Sequence, residues 1–375
     1  MRLNTIKEVN IKAGMRVLVR FDYNVPVQKG AIVNDFRIKK SRPTLDMLIK
    51  AGARVIAVSH IDNEEGSTLR PVFEYLSQFY KVTFVSSVDE AIRESEEIGN
   101  GEILLVENLR KDNGEKENSD EFVRKLSKLG DIYVNDAFSS AHRRHASIVG
   151  VPKFLPAYAG ILFEEEVRIL ERALSPEHPF LFILAGAKFE TKLPLIEKYL
   201  NLADNLFIAG AIANDFFKCK GYEVGVSKVS GEKCNLSDAL WNEKIILPID
   251  VVVYKDGKSK IKKPDEVLPE ELIVDAGPET IKSLEGVIND SKIIVWNGPL
   301  GNYEMGFGEG TKLLAKKIAE SQAFSIIGGG DTTAVLSDMI SSGKFGFVST
   351  GGGATIEFLE KGTLPGVEVL KTKNL

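Results

Sequence analysis

The sequence predicts an α/β protein of two lobes, each a doubly wound parallel sheet, joined by a hinge helix. Three observations carry that reading. Short apolar runs alternate with amphipathic segments along the whole chain, the pattern of strands covered by helices on both faces. The 375 residues, 43% hydrophobic and 27% charged, suggest two cores rather than one. Between the halves lies the Pro-, Gly- and Ala-rich stretch from Val151 to Gly160, followed by a Glu-rich amphipathic helix from Ile161 to Leu174 that Pro176 and Pro179 terminate. An N-terminal lobe over 1–155, a linker and hinge helix over 156–175 and a C-terminal lobe over 176–356 are expected.

In chain order, the first-half strands are the apolar runs starting at Arg16, Arg54, Lys81, Glu102 and Asp131. Those of the second half start at Phe180, Leu206, Lys244, Lys292, Phe324 and Phe345. In Rossmann-like sheets ligands bind beyond the carboxyl ends of the strands, so the residues that follow each run are the candidates. In the first half these are Arg20, Asp22 and Asn24, then His60, then Glu107, Asn108 and Arg110, then Asn135, Asp136, His142 and Arg143. Arginine offers a planar fork of donors, so this set suits a small anion with carboxylate or phosphate oxygens.

The second half has a different chemistry. The runs Gly328-Gly-Gly-Asp331-Thr332 and Gly351-Gly352-Gly353 each follow an apolar strand and precede a helical pattern, which brings backbone amides against an oligophosphate. Asp331 stands where a magnesium ligand would serve. Lys188 and Lys192 follow the strand at Phe180 and can point at phosphate oxygens, although either residue type is also common on a surface at a strand exit. Together the halves describe a bisubstrate enzyme with an anionic acceptor on one lobe and a nucleotide with its metal on the other.

Several classes are disfavoured. The formal charge of −5 argues against general nucleic-acid binding. No N-terminal apolar run has signal-peptide length, and no stretch approaches the roughly eighteen apolar residues of a membrane span, so a soluble cytoplasmic protein is expected. Cys219 and Cys234 fit no zinc spacing and read as free thiols. The chain has no Walker A run, no G-x-G-x-x-G fingerprint and no H-R-D loop, against a P-loop NTPase, a dinucleotide enzyme and a protein kinase. The charge run Lys111 to Glu117 reads as a solvated loop, 256–271 as an exposed excursion, and Trp296 as core.

The chain resembles the phosphoglycerate kinase family along essentially its whole length. The resemblance is carried in order by Val19-Arg-Phe-Asp-Tyr-Asn-Val-Pro26, Asp35-Phe-Arg37, Val58-Ser-His60, Glu107-Asn-Leu-Arg110 and Val134 to His145. It continues in Ala185-Gly-Ala-Lys-Phe-Glu-Thr-Lys192, Asp275-Ala-Gly-Pro, Trp296-Asn-Gly-Pro-Leu-Gly-Asn-Tyr-Glu304, Gly328 to Thr332 and Ser349 to Ala354. It implies a monomer that moves a phosphoryl group reversibly between Mg-ATP/ADP and 3-phosphoglycerate/1,3-bisphosphoglycerate by hinge closure. Asp22, Asn24, Arg37, His60, Arg110 and Arg143 would surround the acceptor, with Arg37 at the transferring end. Lys188 would stabilise the phosphoryl group in flight and Lys192 the nucleotide phosphates. Glu304 would take the ribose, Gly210 and Asn297 to Pro299 the adenine edge, Gly329, Gly330 and Thr332 the nucleotide, and Asp331 the Mg²⁺. Gly351, Gly352 and Gly353 would supply the helix N-terminus, and the segment 357–375 would return to the N-terminal lobe.

One departure stands out. The family pattern continues after the histidine with Leu-Gly-Arg-Pro, where this chain reads Ile61-Asp62-Asn63-Glu64. A cationic contact is missing, two carboxylates are added, and weaker binding of 3-phosphoglycerate is expected unless Arg70 reaches in. Two other readings follow: a related enzyme forming an acyl phosphate on another carboxylate, and a non-catalytic binder, which the joint presence of Lys188, Lys192, Asp331 and the arginines disfavours.

Overall fold

The computed structural model describes residues 1–62, 67–187, 189, 192–230, 240–341 and 343–372. The chain divides into two compact units, Met1–Arg168 with Thr363–Leu375, and Ile169–Gly362. Each apolar run singled out above is a strand.

The first unit holds a sheet in the spatial order Val82–Val85, Ile103–Val106, Arg54–Val58, Arg16–Phe21, Ile132–Asp136, Ala157–Ala159, every pair parallel. Successive side chains of a strand point to opposite faces. Val17, Val19, Phe21, Val55 and Ala57 accordingly enter one core, and Leu18, Ile56, Val58 and Leu104 the other. Burial on both faces is why these strands are continuous apolar runs. The final segment packs in this unit, where Gly366 N–H donates to Ala141 O at 2.8 Å and Asn4 N–H to Leu370 O at 2.9 Å.

The second unit holds the order Ile245–Ile246, Asn205–Ile208, Phe180–Leu184, Ile293–Asn297, Phe324–Gly328, Phe347–Val348, again parallel throughout. Its first three strands step outward one way and its last three the other. The reversal lies between Phe180–Leu184 and Ile293–Asn297, the switch point at whose carboxyl edge a ligand crevice forms. Trp296 is core, its indole N–H donating to Gly298 O at 2.7 Å.

Three expectations need correction. Residues 251–276 form an antiparallel sheet of Lys258–Lys262, Val251–Lys255 and Leu272–Ala276. The exposed Lys-Ser-Lys-Ile-Lys edge strand carries no apolar signal, so the sequence reads as an excursion. The charge run is no solvated loop, because Asp112 caps a short helix, Asn113–Glu117, whose Glu115 is fully buried. Cys219 is disulfide-bonded, so the free-thiol reading does not stand.

The helix Ile161–Leu174 contains the division between the units, and its start is fixed chemically. Asp136 Oδ1 accepts Phe163 N–H at 3.1 Å, while Thr44 Oγ1 accepts Ile161 N–H at 2.8 Å. A Cβ on Gly160 would lie 2.2 Å from Asp136 Oδ1, so only glycine lets the carboxyl reach the helix end. Burial pushes the Asp136 pKa up to about 7, although the Thr44 hydroxyl and the amides of Phe163 and Leu162 oppose the rise. Its unfolded value is about 4, so as pH climbs from about 4 to 7 the unfolded chain loses this proton before the folded chain does. Stability from this group is complete below that window and is lost across it, by up to ~4 kcal/mol. Asp136→Asn is expected to flatten the pH dependence of the urea midpoint between pH 4 and 7; an unchanged slope would show that Asp136 is ionised throughout.

Candidate functional site

In the first unit the parallel strands deliver Asp22, Asn24, His60 and Arg110 to one edge of the sheet. Arg20 stands beneath them but is not the anion ligand its position suggests. It is fully buried, and its guanidinium donates to Ser147 Oγ at 3.0 Å, to Phe21 O at 2.5 Å and to His60 Nδ1 at 2.9 Å. Ser147 passes the charge on: its hydroxyl donates to Glu115 Oε1 at 2.6 Å and its amide to Glu115 Oε2 at 2.9 Å. The Glu115 carboxylate thus compensates a buried cation through one serine. The charge run hid this residue from the sequence reading.

His60 is set by that chain. Burial, then the charges of Arg20, Arg110 and Arg37, drive its pKa far below the ordinary histidine value, so it is neutral. Nδ1 accepts from Arg20, so the ring proton sits on Nε2, which is left as a donor. His145 lies 3.8 Å from Glu115, and its pKa is lowered to about 4 by burial and then by Arg110, Arg20 and Arg143.

Around this floor the other candidates come together. Asp22 accepts from Ser139 Oγ at 2.5 Å and pairs with Arg37 Nη1 at 3.3 Å, while Arg37 also donates to Asn24 O at 2.8 Å. Asn24 Oδ1 accepts Asp62 N–H at 3.0 Å, and the Asp62 carboxylate is ion-paired with Arg110. Arg143 is exposed. Arg70 does not reach in: it stacks over Phe84 and Phe73, with ring centroids at 5.2 and 5.8 Å. Asn63 and Glu64 lie outside the described residues.

The second unit places a cavity of ≈300 Å³ at the carboxyl edge of its sheet, lined among others by Gly186, Gly210, Pro299, Glu304, Asp331 and Tyr303. Backbone packs on backbone at its floor. A Cβ on Gly298 would meet Ala185 O at 2.0 Å, and its φ of +99° is one that L side chains rarely adopt. Beside it Lys192 is buried at the cap of the helix Leu193–Leu202, with its Nζ donating to Ala185 O. Thr332 is fully buried and its hydroxyl accepts Gly298 N–H at 2.9 Å, tying the two glycine loops together. The buried Asn297 amide faces Gly328 and Gly329, its nitrogen 3.4 and 3.3 Å from where their Cβ atoms would sit.

Asp331 opens the helix Gly330–Val335 and is exposed, accepting from Tyr303 Oη at 3.1 Å. Glu304 is exposed at the cavity wall. Gly351, Gly352 and Gly353 precede or begin the helix Gly353–Lys361, after the strand adjacent to Phe324–Gly328. Lys188 lies outside the described residues. Among the described residues no three His, Cys, Asp or Glu side chains form a metal cage.

The chain matches the family model described as phosphoglycerate kinase over residues 6–362. It is 40% identical to the phosphoglycerate kinase of Pelotomaculum thermopropionicum, with all of both chains covered. It is 41% identical to that of Thermus thermophilus, over 98% of this chain and 100% of the relative. Among solved structures, phosphoglycerate kinase from Coxiella burnetii superposes with a TM-score of 0.84 at 36% identity, and that from Pyrococcus horikoshii with 0.85 at 31%, each covering 98% of both chains.

Removing one partner of a buried charge pair typically costs ~3–5 kcal/mol. Glu115→Ala is therefore expected to lower the stability of the whole chain by ~3 kcal/mol or more, read as a fall in the urea midpoint. A midpoint within the scatter of the native chain would mean that Arg20 needs no counter-charge.

Proposed function

The chain belongs to the phosphoglycerate kinase family, and is thus an enzyme that transfers a phosphoryl group to a carboxyl acceptor; we propose that it does so reversibly between Mg-ATP and 3-phosphoglycerate, giving ADP and 1,3-bisphosphoglycerate. The observation that carries this reading is the cluster of Arg37, Arg110 and neutral His60 around Asp22 and Asn24. It suits an acceptor bearing both a carboxylate and a phosphate.

The acceptor carboxylate is ionised at neutral pH and has no proton to lose, so the reaction needs no general base. His60 fits that requirement, since Nδ1 is occupied by Arg20 and Nε2 carries the proton. Its role is to donate, with Arg37 at the transferring end and Asp22, Asn24, Arg110 and Arg143 around the rest of the acceptor. On the nucleotide side Lys192 and the Gly329–Thr332 loop hold phosphates, Gly210 and Asn297 to Pro299 the adenine edge, and Glu304 the ribose. Lys188, Arg37 and the amides at Gly351, Gly352 and Gly353 neutralise the phosphoryl oxygens in transfer.

Exposed carboxylates at a cavity wall, with no three-residue cage among the described residues, are a donor set that suits Mg²⁺ carried mainly by nucleotide phosphates. Asp331 would hold it, and the ion would supply charge neutralisation. The two substrates are proposed to occupy different lobes, so closure about the helix Ile161–Leu174 is required to bring the reacting atoms within about 3–3.5 Å and to exclude water. The setting proposed is glycolysis and gluconeogenesis, in the cytoplasm and as a monomer; no helix among the described residues is long and apolar enough to cross a membrane.

Steady-state ADP formation from Mg-ATP, with 3-phosphoglycerate varied, tests this. Turnover is expected only with 3-phosphoglycerate, and kcat is expected to drop at least ~100-fold in Lys188→Ala, the scale on which one transition-state contact acts. ADP formation that ignores 3-phosphoglycerate, or that responds to another carboxylate, would contradict the reading.

A further inference from the structure

Resting on the acceptor assignment above, we propose that Asp62 is a built-in competitor for the acceptor anion: its carboxylate occupies the Arg110 guanidinium, and an incoming substrate must displace it. Asp62 engages two of the proposed acceptor contacts at once. Its side chain pairs with Arg110 and its backbone N–H donates to Asn24 Oδ1 at 3.0 Å.

The chain around Asp62 keeps it there. Asn108 Nδ2 donates to Ile61 O at 2.7 Å and to Ser67 O at 3.0 Å, and Asn108 Oδ1 accepts Arg110 N–H at 3.1 Å. One asparagine therefore fixes the backbone on which both Asp62 and Arg110 sit. Glu107 adds a second anchor, accepting Thr68 Oγ1–H at 2.6 Å and Leu69 N–H at 2.7 Å.

The contrast with Asp22 shows why displacement is the expected behaviour. The Asp22 side chain is 4% exposed and is held by Ser139, so its pair with Arg37 is part of the floor. The Asp62 side chain is 54% exposed, so it can turn into solvent without losing burial or leaving an orphaned group behind. Arg110 is 16% exposed, and the Asp62 carboxylate pairs with its Nη1, the donor for which an incoming anion competes. A half-exposed carboxylate on a half-sheltered arginine lowers affinity modestly, and the size expected is about fivefold.

The test is calorimetric titration of the full chain with 3-phosphoglycerate, and separately with inorganic phosphate, for the native protein, Asp62→Asn and Asp62→Glu. KM for 3-phosphoglycerate and for ATP is measured on the same three proteins. Asp62→Asn is expected to bind 3-phosphoglycerate about fivefold tighter and to lower its KM by a like factor, with KM for ATP unmoved. Asp62→Glu, which keeps the charge, is expected to stay within about twofold of native. Equal or weaker 3-phosphoglycerate binding by Asp62→Asn would overturn the proposal and leave the acceptor assignment standing. If none of the three binds 3-phosphoglycerate but Asp62→Asn gains affinity for phosphate, the acceptor assignment fails and the competition stands. If Asp62→Asn tightens neither ligand, the competition is overturned whichever acceptor is correct.

Discussion

A positive charge held with no exposure to water is the constraint from which the candidate acceptor site of the first unit follows. Burial of Arg20 is tolerated because Ser147 links it to Glu115 and because Phe21 O and His60 Nδ1 accept from its two terminal nitrogens. The bond to His60 chooses the tautomer of that ring and fixes its orientation. Nearby, Asp22 and Asp62 pair with Arg37 and Arg110, so these two cations are held in place as well, a preorganisation of the kind that reduces reorganisation during charge transfer. The bond from Arg20 also leaves His60 without a free acceptor nitrogen, in keeping with a nucleophile that arrives ionised.

The candidate nucleotide site of the second unit solves a different problem with backbone. At the switch point of the second sheet, Gly298 packs on Ala185 O more closely than any side chain permits, and Thr332 ties that loop to the Gly328–Gly330 turn. Amides are thereby brought to the cavity edge by strand geometry rather than by flexible side chains. The two solutions share a principle: buried neighbours such as Glu115, Ser147 and Thr332 fix where the candidate groups stand.

How much of this could be read beforehand depends on whether the signal is local. Strands buried on both faces announce themselves as apolar runs, so both sheets and the Ile161–Leu174 helix were legible. The edge strand Lys258–Lys262, exposed on both faces, was not, because its stability comes from its neighbour rather than from its own composition. Asp22, Asn24, His60 and Arg110 were legible as neighbours, since topology alone carries residues that follow parallel strands to one edge. The burial of Arg20 was not, because it depends on Glu115, about a hundred residues away in sequence and hidden in a charged stretch. The altered residues after His60 marked a lost cation, yet nothing in the sequence said that Asp62 would sit on Arg110.

The central claim is that phosphoryl transfer ends on the carboxylate of 3-phosphoglycerate, with neither water nor a side chain as acceptor. The most direct measurement is phosphorus NMR of the full chain with Mg-ATP and 3-phosphoglycerate, at enzyme concentrations high enough to populate bound products. The account predicts an acyl-phosphate resonance that grows with ADP and vanishes when ATP or 3-phosphoglycerate is withheld. Release of inorganic phosphate alone, with no acyl phosphate at any time, would contradict it.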